Sequence, residues 1–186
     1  MGIDEAGRGP IAGPLVVACC VLPIGYENKY IYDSKSISLK QREAMFHQIV
    51  EDAVYYQFRI VTPKKIDEDN IYEATRKAME SLAISYDVDH ILTDAMPLRI
   101  GKDVISLIKG DQKSVNIAAA SILAKVLRDH IMNGYNVLYP EYDFKNHKGY
   151  PTAKHLKALD ELPVLEIYRR SYKPVAERLH KQIRII

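Results

Sequence analysis

The sequence predicts an α/β fold, a mixed five-stranded sheet flanked by helices. Strand-like runs dominate the first part of the chain, and the later ones are separated by helical patterns. An antiparallel meander followed by a βαβ crossover is the layout such a string suggests. With 186 residues and 47% apolar composition, the chain is the size of one globular domain, with room for a small appendage.

Each element has its own local reason. Met1 to Glu5 reads as a strand end, and Pro14 to Leu22 is a continuous apolar run containing Val16, Val17 and Val21, the pattern of a buried strand. Leu39 to Glu51 has helical spacing, with Ser38 placed to cap it. Ala53 to Val61 alternates and is rich in β-formers (Val54, Tyr56, Phe58, Ile60), a third strand. Ile71 to Ser85 is a second helical pattern. His90 to Thr93 and Val104 to Ile108 are short apolar strands, and a long helix is expected from Val115 to Met132. Beyond Pro140 the chain reads as loop, then as short helices around Thr152 to Leu159 and Pro174 to Gln182.

Composition excludes several classes of protein. No apolar run approaches the ~18 residues of a membrane span, and no basic leader precedes an apolar core, so a cytoplasmic protein is expected. Cys19 and Cys20 are adjacent on a strand and point to opposite faces, which disfavours a disulfide or a shared metal and makes them small buried hydrophobes. The six histidines show no ligand spacing, His147 and His155 being eight apart across Gly and Pro, so zinc is not expected. The net charge of +2 is unevenly spread: residues 1–144 hold 16 Lys and Arg against 20 Asp and Glu, and residues 145–186 hold 10 against 4. A basic C-terminal segment beside an acidic body fits nucleic-acid contact, and equally a solvated helix face.

Carboxylates stand where strands end. Asp4 and Glu5 close the first strand, Asp94 follows His90 to Thr93, and Asp111 follows Val104 to Ile108 through Lys109-Gly110. In α/β sheets ligands collect at strand ends, and converging carboxylates there hold two divalent ions roughly 3.5–4 Å apart. Hard oxygen donors suit Mg²⁺ or Mn²⁺. A lone acid after a strand is otherwise a turn or cap residue, and Asp111, opening the long helix, is expected to cap it as well. Gly7-Arg8-Gly9 follows the first acidic pair, and its glycines let backbone approach a sugar or phosphate closely. Arg8 also has a simpler use as an ionic partner of Asp4 or Glu5.

Six motifs occur in a familiar order: Asp4-Glu5-Ala6-Gly7-Arg8-Gly9-Pro10; Asp33-Ser34-Lys35; Ile66-Asp67 with Asn70-Ile71; Lys109-Gly110-Asp111; Ala119-Ala120-Ser121-Ile122-Leu123-Ala124-Lys125-Val126 with Arg128-Asp129; and His147-Lys148-Gly149-Tyr150. Together they resemble bacterial ribonuclease HII from residue 2 to about residue 175. The resemblance implies a ribonuclease H-like catalytic domain over residues 1–140 and a helical C-terminal extension over 141–186 that contributes to substrate binding. It implies an endonuclease that cuts the RNA strand of RNA–DNA hybrids and 5′ of single ribonucleotides in duplex DNA, leaving 3′-hydroxyl and 5′-phosphate ends. Two Mg²⁺ or Mn²⁺ ions would be bound with substrate by Asp4, Glu5, Asp94 and Asp111, Asp4 bridging them. Asp129, 18 residues beyond Asp111 along the expected helix, is read as structural.

By the same resemblance Gly7, Arg8 and Gly9 read the 2′-hydroxyl, aided by Tyr150, whose ring also stacks on the neighbouring sugar. Lys35, Lys113 and Lys148 are candidates for holding phosphates, with Ser36 and Ser114 as hydroxyl donors beside two of them. Arg169-Arg170-Ser171-Tyr172 resembles a further family element, but Tyr168 stands where a histidine is common. A monomer is expected, and no residue pattern supports a sliding-clamp contact. A hybrid-binding module without catalysis, and a two-metal nuclease indifferent to the 2′-hydroxyl, are the alternatives.

Overall fold

A computed structural model describes residues 1–28, 30–33 and 38–183. Strands β1 (Gly2–Ala6), β2 (Leu15–Val21), β3 (Tyr55–Val61), β4 (Ile91–Asp94) and β5 (Val104–Leu107) form one sheet in the order β3-β2-β1-β4-β5. β1 runs antiparallel to β2, with Asp4 opposite Ala18, and parallel to β4, with Ile3 opposite Thr93. β4 runs parallel to β5. The sheet is therefore mixed: β1 and β2 are antiparallel, β1 and β4 are parallel with helices between them in sequence, and β4 and β5 are parallel although residues 95–103 between them form no helix. The central strands are the apolar ones: Val16 through Cys20 are fully buried. Cys19 and Cys20 are free thiols in that strand, pushed up to about 11 and about 12 by burial, and so are packing groups rather than nucleophiles.

The helices are α1 (Leu39–Asp52), α2 (Pro63–Asp69), α3 (Ile71–Ala83), α4 (Val115–Leu138), α5 (Phe144–His147), α6 (Ala153–Glu161) and α7 (Lys173–Ile183). Ser38 caps α1 in a full capping box: the Gln41 N–H donates to its hydroxyl at 3.3 Å, and its own N–H donates to Gln41 Oε1 at 2.9 Å. α2 was not expected. Its start is written in Thr62-Pro63, a cap followed by a proline with no N–H to lose, and the Lys65 N–H donates to Thr62 Oγ1 at 3.3 Å. Asn70 ends α2 at φ +63 and its side-chain oxygen accepts from Tyr72 and Glu73, so one residue stops one helix and starts the next. α4 runs six residues past the expected end at Met132, through Gly134; in that added length Tyr135 packs against the core of the second unit, while Val137 and Leu138 are exposed. Among the described residues, no helix is long and apolar enough to cross a membrane.

Two compact units divide the chain. The first comprises Met1–Ala6, Val16–Ile60 and Thr75–Leu127 and holds most of the sheet. The second comprises Gly7–Leu15, Val61–Ala74 and the chain from Arg128 onward. Its core gathers Ile11, Met132, Tyr142, Phe144, Leu159, Tyr168 and Val175, with the Tyr142 and Phe144 rings stacked at 5.4 Å.

Candidate active site

In the first unit, strand pairing brings the carriers of the carboxylates together. The parallel register pairs Ile3 with Thr93, so the next step along both strands sets Asp4 beside Asp94. β4 stops there: Ala95 takes φ +48, and Thr93 Oγ1 donates to the Met96 carbonyl at 2.6 Å. Asp94 Oδ1 accepts the Gly110 N–H at 2.8 Å, which ties the end of β4 to the short 3₁₀ turn Gly110–Gln112 holding the buried Asp111.

Asp4 is 5% exposed. Its Oδ1 accepts the Glu5 N–H at 2.7 Å, and the Ser121 hydroxyl on α4 donates to the same carboxyl. Burial raises its pKa well above the usual carboxylate range, and the charges of Glu5 and then Asp94 add to the rise; the two hydrogen bonds oppose it. Asp4 thus carries a repulsion that a bound cation would remove. The donors are all oxygens, the chemistry of a hard divalent ion. Among the described residues, no three His, Cys, Asp or Glu side chains are gathered tightly enough to close a metal shell by themselves. The β1–β4 register and the Asp94–Gly110 bond bring the backbone carriers of Asp4, Asp94 and Asp111 near one another, and Glu5 adjoins Asp4 in the chain.

In the second unit, the Gly7-Arg8-Gly9 turn is held from behind. Gly7 takes φ +100, and a Cβ there would stand 2.1 Å from Arg128 Nε, so the space a side chain would need is filled by a guanidinium. Gly9 is exposed, and its missing Cβ would lie 3.4 Å from the Tyr150 ring. Arg128 donates to the carbonyls of Pro14 (3.0 Å), Lys148 (3.0 Å) and Ala12 (3.2 Å). Arg169 donates to those of Gly7 (2.6 Å), Arg8 (3.0 Å) and Gly13 (3.1 Å). Both guanidiniums are buried. Burial, and then the charge of Arg169, push Arg128 down to about 10, which still leaves it a cation at neutral pH.

These carboxylates and this turn fall within one matched stretch of sequence: the family model for ribonuclease HII matches residues 1–175. The chain belongs to the ribonuclease HII family. It is 48% identical over 182 residues to the ribonuclease HII of Listeria monocytogenes serovar 1/2a, across 96% of this chain and 70% of that one. Its fold is similar to the ribonuclease H2 of Pyrococcus horikoshii OT3, at a TM-score of 0.80 and 28% identity, covering 97% of this chain and 96% of that one. It is also similar to the ribonuclease HII of Archaeoglobus fulgidus, whose structure was solved with PCNA, at a TM-score of 0.75 and 27% identity, covering 91% of each chain. As a ribonuclease HII the chain is an endonuclease and hydrolase that acts on RNA–DNA hybrids.

The remaining residues singled out in the sequence fall as follows. Lys35 and Ser36 lie outside the described residues. Lys113 is exposed just after the 3₁₀ turn, and Ser114 is buried. Ser114 takes the capping role expected of Asp111, since its Oγ accepts the Ile117 N–H at 3.4 Å and α4 begins at Val115. Lys148 takes φ +51 and its ammonium donates to Asn133 Oδ1. Tyr150 is 44% exposed. Asp129 is buried on α4, and its charge favours the protonated form of Arg128, a structural part to play.

Sequence reasoning missed three features. Ser121 lies in a helical run whose contacts only the folded unit defines. The two buried arginines look like surface cations in a one-dimensional reading. The third is that His147 and His155 meet, their rings stacked 3.9 Å apart at 12°. His147 Nδ1 accepts the Gly149 N–H at 3.1 Å, so its Nε2 carries the proton given to the Tyr142 carbonyl at 2.7 Å. His155 Nδ1 donates to the Tyr150 carbonyl at 2.8 Å, leaving Nε2 to accept from the Tyr168 hydroxyl at 2.9 Å. All four ring nitrogens are engaged within the protein, in keeping with packing rather than metal ligation.

Proposed function

We propose that this member of the ribonuclease HII family cuts duplex DNA on the 5′ side of a single embedded ribonucleotide, as well as RNA in hybrids, by a two-metal mechanism leaving 3′-hydroxyl and 5′-phosphate ends. The observation that carries the reading is the buried Asp4 carboxyl, crowded by the charges of Glu5 and Asp94 and bonded to Ser121. Two Mg²⁺ or Mn²⁺ ions held by Asp4, Glu5, Asp94 and Asp111 would lower the pKa of an attacking water and neutralise charge on the leaving oxygen. The protein's own work is positioning. The Ser121 hydroxyl and the Glu5 N–H favour the ionised form of Asp4 and fix its orientation. The Gly110 N–H does the same for the orientation of Asp94.

Selectivity for ribose is assigned to Gly7, Arg8 and Gly9, whose backbone groups suit a 2′-hydroxyl that both donates and accepts, and to Tyr150, whose exposed ring suits stacking on a sugar. Lys35, Ser36, Lys113, Ser114 and Lys148 are assigned to phosphates. Residues 141–186, with their excess of Lys and Arg, extend the nucleic-acid contact.

The test is cleavage of three substrates in Mg²⁺, in Mn²⁺ and in EDTA: a hybrid, a duplex with one ribonucleotide, and the matched all-DNA duplex. The expected result is metal-dependent cutting of the first two only, with the break 5′ of the ribonucleotide. Cutting of the hybrid alone would refute the single-ribonucleotide activity, and cutting of all-DNA duplex would refute ribose selectivity. Asp4→Asn is expected to lower turnover by about a thousandfold or more, the several kcal/mol that a lost metal contribution represents, while retaining hybrid binding.

A further inference from the structure

We infer that Arg169, together with the Tyr172 hydroxyl, sets the polarity of the Gly7-Arg8-Gly9 turn and is a positioning residue for ribose selectivity. The inference rests on the assignment of that turn to the 2′-hydroxyl. Among the described residues every peptide bond is trans, and in a planar trans peptide the carbonyl and the following N–H point in opposite directions. Arg169 Nη2 holds the Gly7 carbonyl at 2.6 Å and Nη1 holds the Arg8 carbonyl at 3.0 Å. The N–H groups of Arg8 and Gly9 are therefore directed away from the guanidinium, side by side, as a pair of donors.

Tyr172 completes the clamp. Its hydroxyl donates to the Arg8 carbonyl at 2.6 Å and accepts from Arg169 Nη1 at 3.0 Å, while the Arg169 guanidinium carbon lies 5.2 Å from the Tyr172 ring centre. Arg169 Nε reaches the Gly13 carbonyl at 3.1 Å, so one rigid planar fork spans three carbonyls of the loop. A lysine ammonium, a point charge on a flexible stem, cannot hold that spacing. A cation bonded to the two carbonyls also polarises their peptides and strengthens the N–H donors opposite.

The segment that carries Arg169 is itself pinned. The Arg169 N–H donates to the Ile11 carbonyl at 2.9 Å, and the Gly13 N–H donates to the Ile167 carbonyl at 2.8 Å. Asp67 on α2 accepts from the N–H groups of Arg170 (2.8 Å) and Ser171 (2.9 Å). These bonds give Arg169, Ser171 and Tyr172 of the Arg-Arg-Ser-Tyr element a structural use.

The experiment compares binding of two duplexes in EDTA, one with a single ribonucleotide and one with the deoxynucleotide at the same place, for the wild type, Tyr172→Phe and Arg169→Lys. Tyr172→Phe removes one hydroxyl from a half-buried ring and keeps the fold testable where the arginine variant is destabilised. The wild type is expected to prefer the ribonucleotide by about tenfold, the worth of one to two hydrogen bonds. Tyr172→Phe is expected to shrink that ratio several-fold, and Arg169→Lys to bring it to about one, with affinity for the deoxy duplex unchanged. Amide ¹H–¹⁵N resonances of Arg8 and Gly9 are expected to move in Tyr172→Phe. General destabilisation would weaken both duplexes alike and leave the ratio intact. A wild-type preference that persists in both variants overturns the positioning role. A wild type with no preference overturns the assignment of the turn itself, and the inference with it.

Discussion

His155 makes the folded protein acid-sensitive by an amount the structure allows to be worked out. Its imidazole is fully buried against His147, Phe144 and Tyr168, and burial, with the His147 ring adding, pushes its pKa down from the usual 6.5 to about 4. The folded state therefore holds the neutral ring while the unfolded chain takes up a proton. Stability is fully present above pH 6.5, is lost as pH falls from there toward 4, and changes no further from this group below that. At ~1.36 kcal/mol per pH unit, the loss is about 2 kcal/mol at pH 5 and about 3 kcal/mol when complete. His147, also lowered by burial, works in the same direction.

The perturbation is His155→Asn, which cannot titrate but retains an amide donor for the Tyr150 carbonyl. The assay is urea unfolding of wild type and variant at pH 5, 6, 7 and 8, read as the difference between the two. The variant is expected to be less stable at pH 8, since a ring is lost from a packed cluster, and to close much of that gap by pH 5. A gap that stays constant from pH 8 to pH 5 would refute the reasoning, as would an imidazole resonance titrating near 6.5 in the folded protein.

Two further substitutions probe the site and its scaffold. Ser121→Ala removes a hydroxyl that favours ionised Asp4; turnover is expected to fall by about tenfold at fixed metal and to recover in part at higher Mg²⁺, measured as a metal titration of the cleavage rate. Asp67→Ala removes the acceptor of two backbone N–H groups and of the Ser171 hydroxyl at 2.5 Å; a loss of about 1–3 kcal/mol is expected from the shift in urea midpoint.

Much of this architecture is legible residue by residue. The apolar run of β2, the alternation of β3 and the short apolar β4 and β5 are local patterns, and all appear within a few residues of where they were expected. The cap at Ser38 is local too. The start of α3 at Ile71 is legible in its apolar pattern, whereas α2, only seven residues long, is too short to show a period of its own and is signalled by Thr62-Pro63 and Asn70 alone. Asp4, Glu5, Asp94 and Asp111 stand out in the sequence because each lies within the last residues of a short apolar strand or just beyond one.

The chain order of strands and acids therefore marks the residues that the proposed function offers to a metal and to a ribose. Folding alone decides how they are held. Ser121 reaches Asp4 across 117 positions of sequence, and Arg169 reaches Gly7 across 162. A buried arginine and an exposed one are the same letter. What separates them is whether the fold supplies carbonyls to replace the water a guanidinium gives up, and those carbonyls come from segments that only tertiary packing brings near.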